Sequence, residues 1–221
     1  MAKEANETPI SRVLAGLLGR FRTERGIPKL RPDERIDGKT CLVTGANTGL
    51  GKAIAIHLAR RGGRVIMACR SGVPHAAEDV RVQSGSAAVE ILPVDLSDFA
   101  TVHALCDRLR DEGRRIDILV LNAAVVPLKA RPTAQGLDLM FGVNYASNVV
   151  LIRRLLADGV LRPGEKPRPR IVFVSSEDHR TAEPIDLTTF ADFREYSSLG
   201  DLSQYGRTKL MLTTYAYELS R

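Results

Sequence analysis

From Lys39 onward, short, mostly apolar runs alternate with longer segments whose apolar side chains recur every three or four positions. The short runs are TCLVT (40–44), RVIMAC (64–69), EILPV (90–94), IDILVLN (116–122) and RIVFVSS (170–176). Runs this short, flanked by turn residues and apolar through their middles without alternation, predict strands buried on both faces. The intervening segments predict helices. The first is GLGKAIAIHLARRG, ending at Gly62, and the second starts near Pro74. SDFATVHALCDRLRDEG has Ser97 as its cap and Gly113 as its stop, and a long helix runs from Ala134 through VLIRRLL. The last is DLSQYGRTKLMLTTYAYELSR. Strands alternating with helices predict an α/β fold, a doubly wound parallel sheet covered on both faces. Upstream, residues 1–38 read as an extension and 39–221 as a single domain. Within the extension Thr8 can cap and Pro9 can open a helix bearing Ile10, Val13, Leu14, Leu17, Leu18 and Phe21 on one face. Packing on this protein or a second copy is preferred for that stripe over a membrane surface, because its polar side carries few cations.

Composition narrows the function classes. With 44% hydrophobic residues in 221, the chain can bury one core. Cys41, Cys69 and Cys106 lie far apart without metal-ligand spacing, so no metal site is expected and the thiols read as buried and reduced. No apolar run approaches the roughly 20 residues that span a bilayer, and the start lacks the order of a signal peptide. A cytoplasmic location is the expectation. The net charge of +6 is dispersed and only 5% of residues are aromatic, which argues against a nucleic-acid surface.

TGANTGLG stands between the first strand and first helix, with glycines at Gly45, Gly49 and Gly51. Such a turn lets backbone approach a pyrophosphate while the helix start offers unpaired amides. Any strand-to-helix turn can also use glycine for its geometry. The second strand ends in Arg70 and Ser71, where an acidic residue would hold a ribose hydroxyl and an arginine would pair with a 2′-phosphate. NADP is therefore expected over NAD; the competing reading of Arg70 is a solvated loop cation. Tyr205 and Lys209, four positions apart, share one helix face, so an ammonium could draw the phenol pKa down toward working pH.

TGANTGLG, VDL, LNAA, VN, VSS and YGRTK, in this order, resemble the short-chain dehydrogenase/reductase family, in its retinol-dehydrogenase and protochlorophyllide-reductase branch. The resemblance implies strand order 3-2-1-4-5 and an NAD(P)-dependent oxidoreductase acting on carbonyl or alcohol groups. It makes Tyr205 the general acid/base, Lys209 its partner and a ribose contact, Ser176 the hydrogen-bond donor to the substrate oxygen, and Asn144 a member of the proton relay. Ser175 then finishes the fifth strand. Cofactor contacts implied are Gly45, Asn47, Thr48, Gly49, Leu50, Gly51, Arg70, Ser71, Asp95, Leu96, Asn122, Ala123 and Ala124, with Tyr205 and Lys209. The substrate implied is a small, apolar carbonyl or alcohol, and members often pair as homo-oligomers. Three features depart from the family pattern. Ala124 replaces a usual glycine. Ser176 and Tyr205 are 29 positions apart, so residues 177–202 form an insertion suited to a substrate lid. The two strands that usually follow the tyrosine helix are missing from the 221 residues, which leaves a dinucleotide-binding module without turnover as the alternative function.

Overall fold

Thr40–Thr44, β1, is central because its middle residues Cys41, Leu42 and Val43 are apolar and can be buried from both faces; with Thr44 they are fully buried. The computed structural model describes residues 31, 33–70, 74–186, 188–193, 195–196 and 202–221. The helix expected over residues 8–21, and Ser71, lie outside the described residues. The described residues from Arg35 to Arg221 belong to one compact unit.

β1 pairs on one side with β2 (Arg64–Cys69), which pairs with β3 (Val89–Pro93). On its other side it pairs with β4 (Ile118–Leu121), which pairs with β5 (Arg170–Phe173). All pairs are parallel and the order is β3-β2-β1-β4-β5, as the family resemblance implies. Crossovers are α1 (Gly49–Arg60), α2 (Pro74–Ser84), α3 (Phe99–Asp111) and a long helix α4. α4 starts as Leu139–Phe141, widens into a π segment at Gly142–Ala146 and continues as Ser147–Ala157. A 3-10 turn at Glu177–Thr181 and the helix α5 (Leu202–Leu219) complete the element order.

Strand side chains alternate between two cores because successive residues face opposite sides. Leu42, Ile66, Leu92, Leu119 and Leu121 pack with Val102, Leu105 and Leu109 of α3 and Leu151, Ile152 and Leu155 of α4. Cys41, Val43, Val65, Met67 and Val120 pack with Ala55, Ile56 and Ala59 of α1 and Ala76, Ala77 and Val80 of α2. Small alanines on α1 and α2 keep those helices close to the sheet. Truncating one of the fully buried leucines to alanine costs about 2–5 kcal/mol at such sites.

Several boundaries differ from the sequence pattern. Asp98, not Ser97, caps α3, its carboxylate accepting from the Ala100 amide at 2.9 Å, while Ser97 bonds to Asp95. α4 begins at Leu139 rather than Ala134 because the buried Asp138 carboxylate takes the Phe141 amide at 2.9 Å and Pro132 bridges to Asp138. β5 ends at Phe173, short of the serines. Ser175 turns toward α5, where its hydroxyl meets that of Thr213 at 2.8 Å.

Candidate active site

The β1–α1 turn is held open by glycine. Gly45 and Gly49 have φ of 64° and 53°, which favours residues without a Cβ. A Cβ on Gly51 would meet the Gly45 carbonyl at 2.3 Å and Asn122 Nδ2 at 2.5 Å, so the helix start can approach the end of β4 only as glycine. Thr48 caps α1 without a side-chain bond, and the first turn contains no acidic residue. The helix start thus offers backbone donors and its positive dipole end to an anion. The turn is tied down from β4: Asn122 Nδ2 donates to the Thr44 carbonyl at 3.1 Å, and the Thr44 hydroxyl accepts the amides of Asn122 and Ala123 at 3.0 and 3.1 Å. Thr44 was not singled out from the sequence, because a threonine closing an apolar run looks like any β-branched strand residue.

A cleft of about 480 Å³ lies over the carboxyl ends of the strands, where neighbouring crossovers leave β1 in opposite directions. It is lined by Gly45, Asn47, Thr48, Gly49, Leu50 and Gly51 from the turn, Arg70 after β2, Asp95 and Leu96 after β3, and Asn122, Ala123 and Ala124 after β4. These are all the described residues expected to touch cofactor apart from Tyr205 and Lys209, which do not line it. The lining also includes Cys69, Arg131, Leu139 and Val143, to which no local motif pointed. The loop that carries Arg131 is drawn in by the bond from the Leu139 amide to the Arg131 carbonyl at 2.9 Å. Arg70 is exposed, as a partner for a ligand phosphate must be. Asp95 is partly committed: its Oδ1 accepts the amide and hydroxyl of Ser97 at 2.9 and 2.7 Å. Burial pushes the Cys69 thiol pKa up, against a smaller downward pull from the amides of Ala46 and Asn47.

Ser176, Tyr205, Lys209 and Asn144 come together next to this cleft. The Val174 amide donates to the Leu121 carbonyl at 3.0 Å, so the segment leading to Ser176 runs beside the Asn122–Ala124 segment. Ser176 caps the 3-10 turn, its hydroxyl donates to Asp178 Oδ2 at 2.9 Å, and the Tyr205 phenol stands near enough to that hydroxyl for its pKa to feel it. α5 reaches this turn through Gly206, where a Cβ would lie 2.6 Å from the Asp178 carbonyl. Lys209 is 1% exposed; its Nζ donates to the Val174 carbonyl at 2.8 Å and stands 5.6 Å from the Tyr205 ring centroid.

The expected acidification of Tyr205 by Lys209 is not what the geometry gives. Burial raises the Tyr205 pKa, the Ser176 hydrogen bond lowers it and the Asp178 carboxylate raises it further. Burial lowers Lys209 to about 8, and its ammonium directs its hydrogen bond to Val174 rather than to the phenol. Asn144, fully buried in the π segment, clamps the loop after β4: Oδ1 accepts the Val125 amide at 2.8 Å and Nδ2 donates to the Val125 carbonyl at 3.0 Å. Nδ2 also reaches the Thr208 hydroxyl on α5 at 3.3 Å. Its side chain therefore makes core hydrogen bonds, joining the cleft wall to the tyrosine helix. π segments of this kind recur at functional sites.

Two described residues of the insertion contact the segment around the start of α4. Phe190 packs edge-on against Phe141 with centroids 5.7 Å apart, and the Tyr196 carbonyl accepts the Ala130 amide at 3.3 Å. Among the described residues no group of His, Cys, Asp or Glu could hold a metal ion, and no helix is long and apolar enough to cross a membrane.

The model of the short chain dehydrogenase family matches residues 39–185. Human retinol dehydrogenase 13 is 35% identical over 189 residues, covering 84% of this chain and 55% of that protein. Mouse retinol dehydrogenase 14 is 35% identical over 196 residues, covering 83% and 56%. The chain spans about half the length of these curated relatives. The solved RhlG/NADP active-site complex of Pseudomonas aeruginosa is similar at 25% identity and a TM-score of 0.63, over 86% of this chain and 68% of that one. A strand order of 3-2-1-4-5, a glycine-lined cleft and a family match across most of the sheet lead to one assignment: the chain belongs to the short-chain dehydrogenase/reductase family.

Proposed function

We propose that the protein is an NADP-dependent oxidoreductase that interconverts a carbonyl and an alcohol on a small, apolar substrate. The observation that carries this reading is the Ser176–Tyr205 hydroxyl pair with the buried Lys209 ammonium 5.6 Å from the phenol ring. NADP, when bound, supplies or accepts the hydride. Its fit is supported by the glycine turn, where positive φ at Gly45 and Gly49 keeps side chains off the helix start, and by the acid-free first turn of α1. The preference for the 2′-phosphate form rests on exposed Arg70 at the end of β2, and an NADP complex is the subject of the Pseudomonas structure named above.

In this reading the oxygen of the substrate lies against Ser176 and Tyr205. Tyr205 delivers its phenolic proton during carbonyl reduction and recovers one during alcohol oxidation. Ser176 orients the oxygen. Lys209, lowered by burial to about 8, sets its ammonium 5.6 Å from the phenol ring. Asn144 fixes the wall between cleft and tyrosine helix through Val125 and Thr208. Three buried free thiols support a reducing, cytoplasmic setting.

Dinucleotide binding without turnover is the second reading, favoured by the raised pKa of Tyr205. NADPH consumption with a panel of aldehydes and ketones, read by nicotinamide absorbance, separates the two. Carbonyl-dependent oxidation that vanishes in Tyr205→Phe while NADPH still binds is the expected result. NADPH binding with no carbonyl consumed would favour the second reading.

A further inference from the structure

The Ser176 hydroxyl has one proton, and in the structure a carboxylate lies in position to take it. Oγ stands 2.9 Å from Asp178 Oδ2, two residues along on the same 3-10 turn, and a charged acceptor outcompetes a neutral one for a hydroxyl donor. The Asp178 amide lies 3.4 Å from the same Oγ, at the outer limit of a hydrogen bond, so a lone pair on that oxygen remains usable. The turn is not free to swing away. Gly206 of α5 packs where a Cβ would be 2.6 Å from the Asp178 carbonyl, and His179 Nδ1 bonds the Ser176 carbonyl. A carbonyl substrate presents lone pairs and needs a donor, whereas an alcohol brings a proton of its own.

We propose that Asp178 is a positioning and specificity residue of this site: by holding the Ser176 proton it weakens binding of carbonyl ligands relative to alcohols. The inference rests on the reading of Ser176 and Tyr205 given above. The same carboxylate opposes ionisation of the phenol, adding to the effect of burial. Titratable side chains beside Tyr205 include Lys209 on its own helix and Asp178 on the facing turn, where His179 Nδ1 bonds the Ser176 carbonyl. Of the two, Asp178 is the one whose charge moves the phenol, and it opposes ionisation.

The test uses Asp178→Ala, the isosteric Asp178→Asn and the charge-retaining Asp178→Glu. Dissociation constants are measured by calorimetry for two non-reacting combinations, cyclohexanone with NADP+ and cyclohexanol with NADPH. Freeing the Ser176 proton is expected to tighten cyclohexanone binding about tenfold in Asp178→Ala, with cyclohexanol unchanged or weaker. Both ligands moving together, or neither moving, overturns the proposal. A second readout needs neither cofactor nor turnover: the Tyr205 titration followed by 13C NMR of labelled tyrosine, assigned with Tyr205→Phe. It is expected to fall in the Ala and Asn variants and to return toward wild type in Glu. An unmoved titration in Ala and Asn overturns the coupling. Absence of Tyr205-dependent turnover in the wild type would defeat the functional reading, and the NMR titration would still decide whether Asp178 acts on the phenol. Intact turnover with unmoved ligand affinities defeats this inference alone.

Discussion

Replacing Lys209 by Met removes a buried charge while keeping an unbranched chain of similar length. Burial lowers Lys209 from 10.5 to about 8, so between those values the unfolded chain binds more protons than the folded protein. Stability must then rise with pH across that window. The cost of burying the ammonium, about 3 kcal/mol, is fully present below about pH 8 and is gone above about pH 10.5. The variant also strands the Val174 carbonyl, which now accepts Nζ at 2.8 Å. Losing that partner costs about 1–3 kcal/mol at every pH, so the slope rather than absolute stability is diagnostic. Urea unfolding followed by circular dichroism, from about pH 7 to about pH 10, gives the slope for both proteins. Wild type should gain about 2–3 kcal/mol relative to Lys209→Met over that range. Parallel curves would refute the burial of this ammonium, and a relative loss by wild type would mean that its pKa is raised instead.

Gly51→Ala should weaken NADPH binding on the order of 10²-fold and lower stability by about 1–3 kcal/mol, because its Cβ would meet Gly45 and Asn122 at 2.3 and 2.5 Å; NADPH fluorescence titration and a melting curve check this. Arg70→Ala should reduce NADP affinity roughly 10–100-fold and leave NAD affinity nearly unchanged, read by parallel titrations with the two dinucleotides; equal losses would contradict the 2′-phosphate role. Gly206→Ala should push the Asp178 carbonyl off α5 and cut turnover on the order of 10²-fold, with cofactor affinity retained. Unchanged turnover there would show that the approach of the turn to α5 does not position Ser176.

The parts legible in the sequence are those decided locally. Gly45, Gly49 and Gly51 announce the dinucleotide turn because a positive φ or a close backbone approach narrows the choice of residue at each position. Strand order follows from apolar runs alternating with amphipathic helices together with the family motifs, and Tyr205 and Lys209 share a face by helical spacing alone. Long-range effects were hidden. Arg131 and Leu139 join the cleft because Asp138 caps the helix and starts it five residues after the apolar pattern suggests, within a segment where Leu137, Leu139 and Met140 read as continuous. Ser97 and Asp98 are both good cap residues, and the choice between them depends on Asp95 engaging the serine. The acidity of Tyr205 was misjudged for a similar reason. Helical spacing shows the lysine nearby but not the Val174 carbonyl that takes its hydrogen bond, nor the Asp178 carboxylate brought in by the 3-10 turn.

The central claim is that one phenol exchanges a proton with a substrate oxygen beside a bound nicotinamide. Single-turnover mixing of the NADPH-loaded protein with carbonyl substrate, wild type against Tyr205→Phe, tests it most directly. The account predicts hydride transfer in wild type and a loss of at least about 10²-fold in the variant, with NADPH affinity unchanged in both. Equal rates in the two proteins would contradict it.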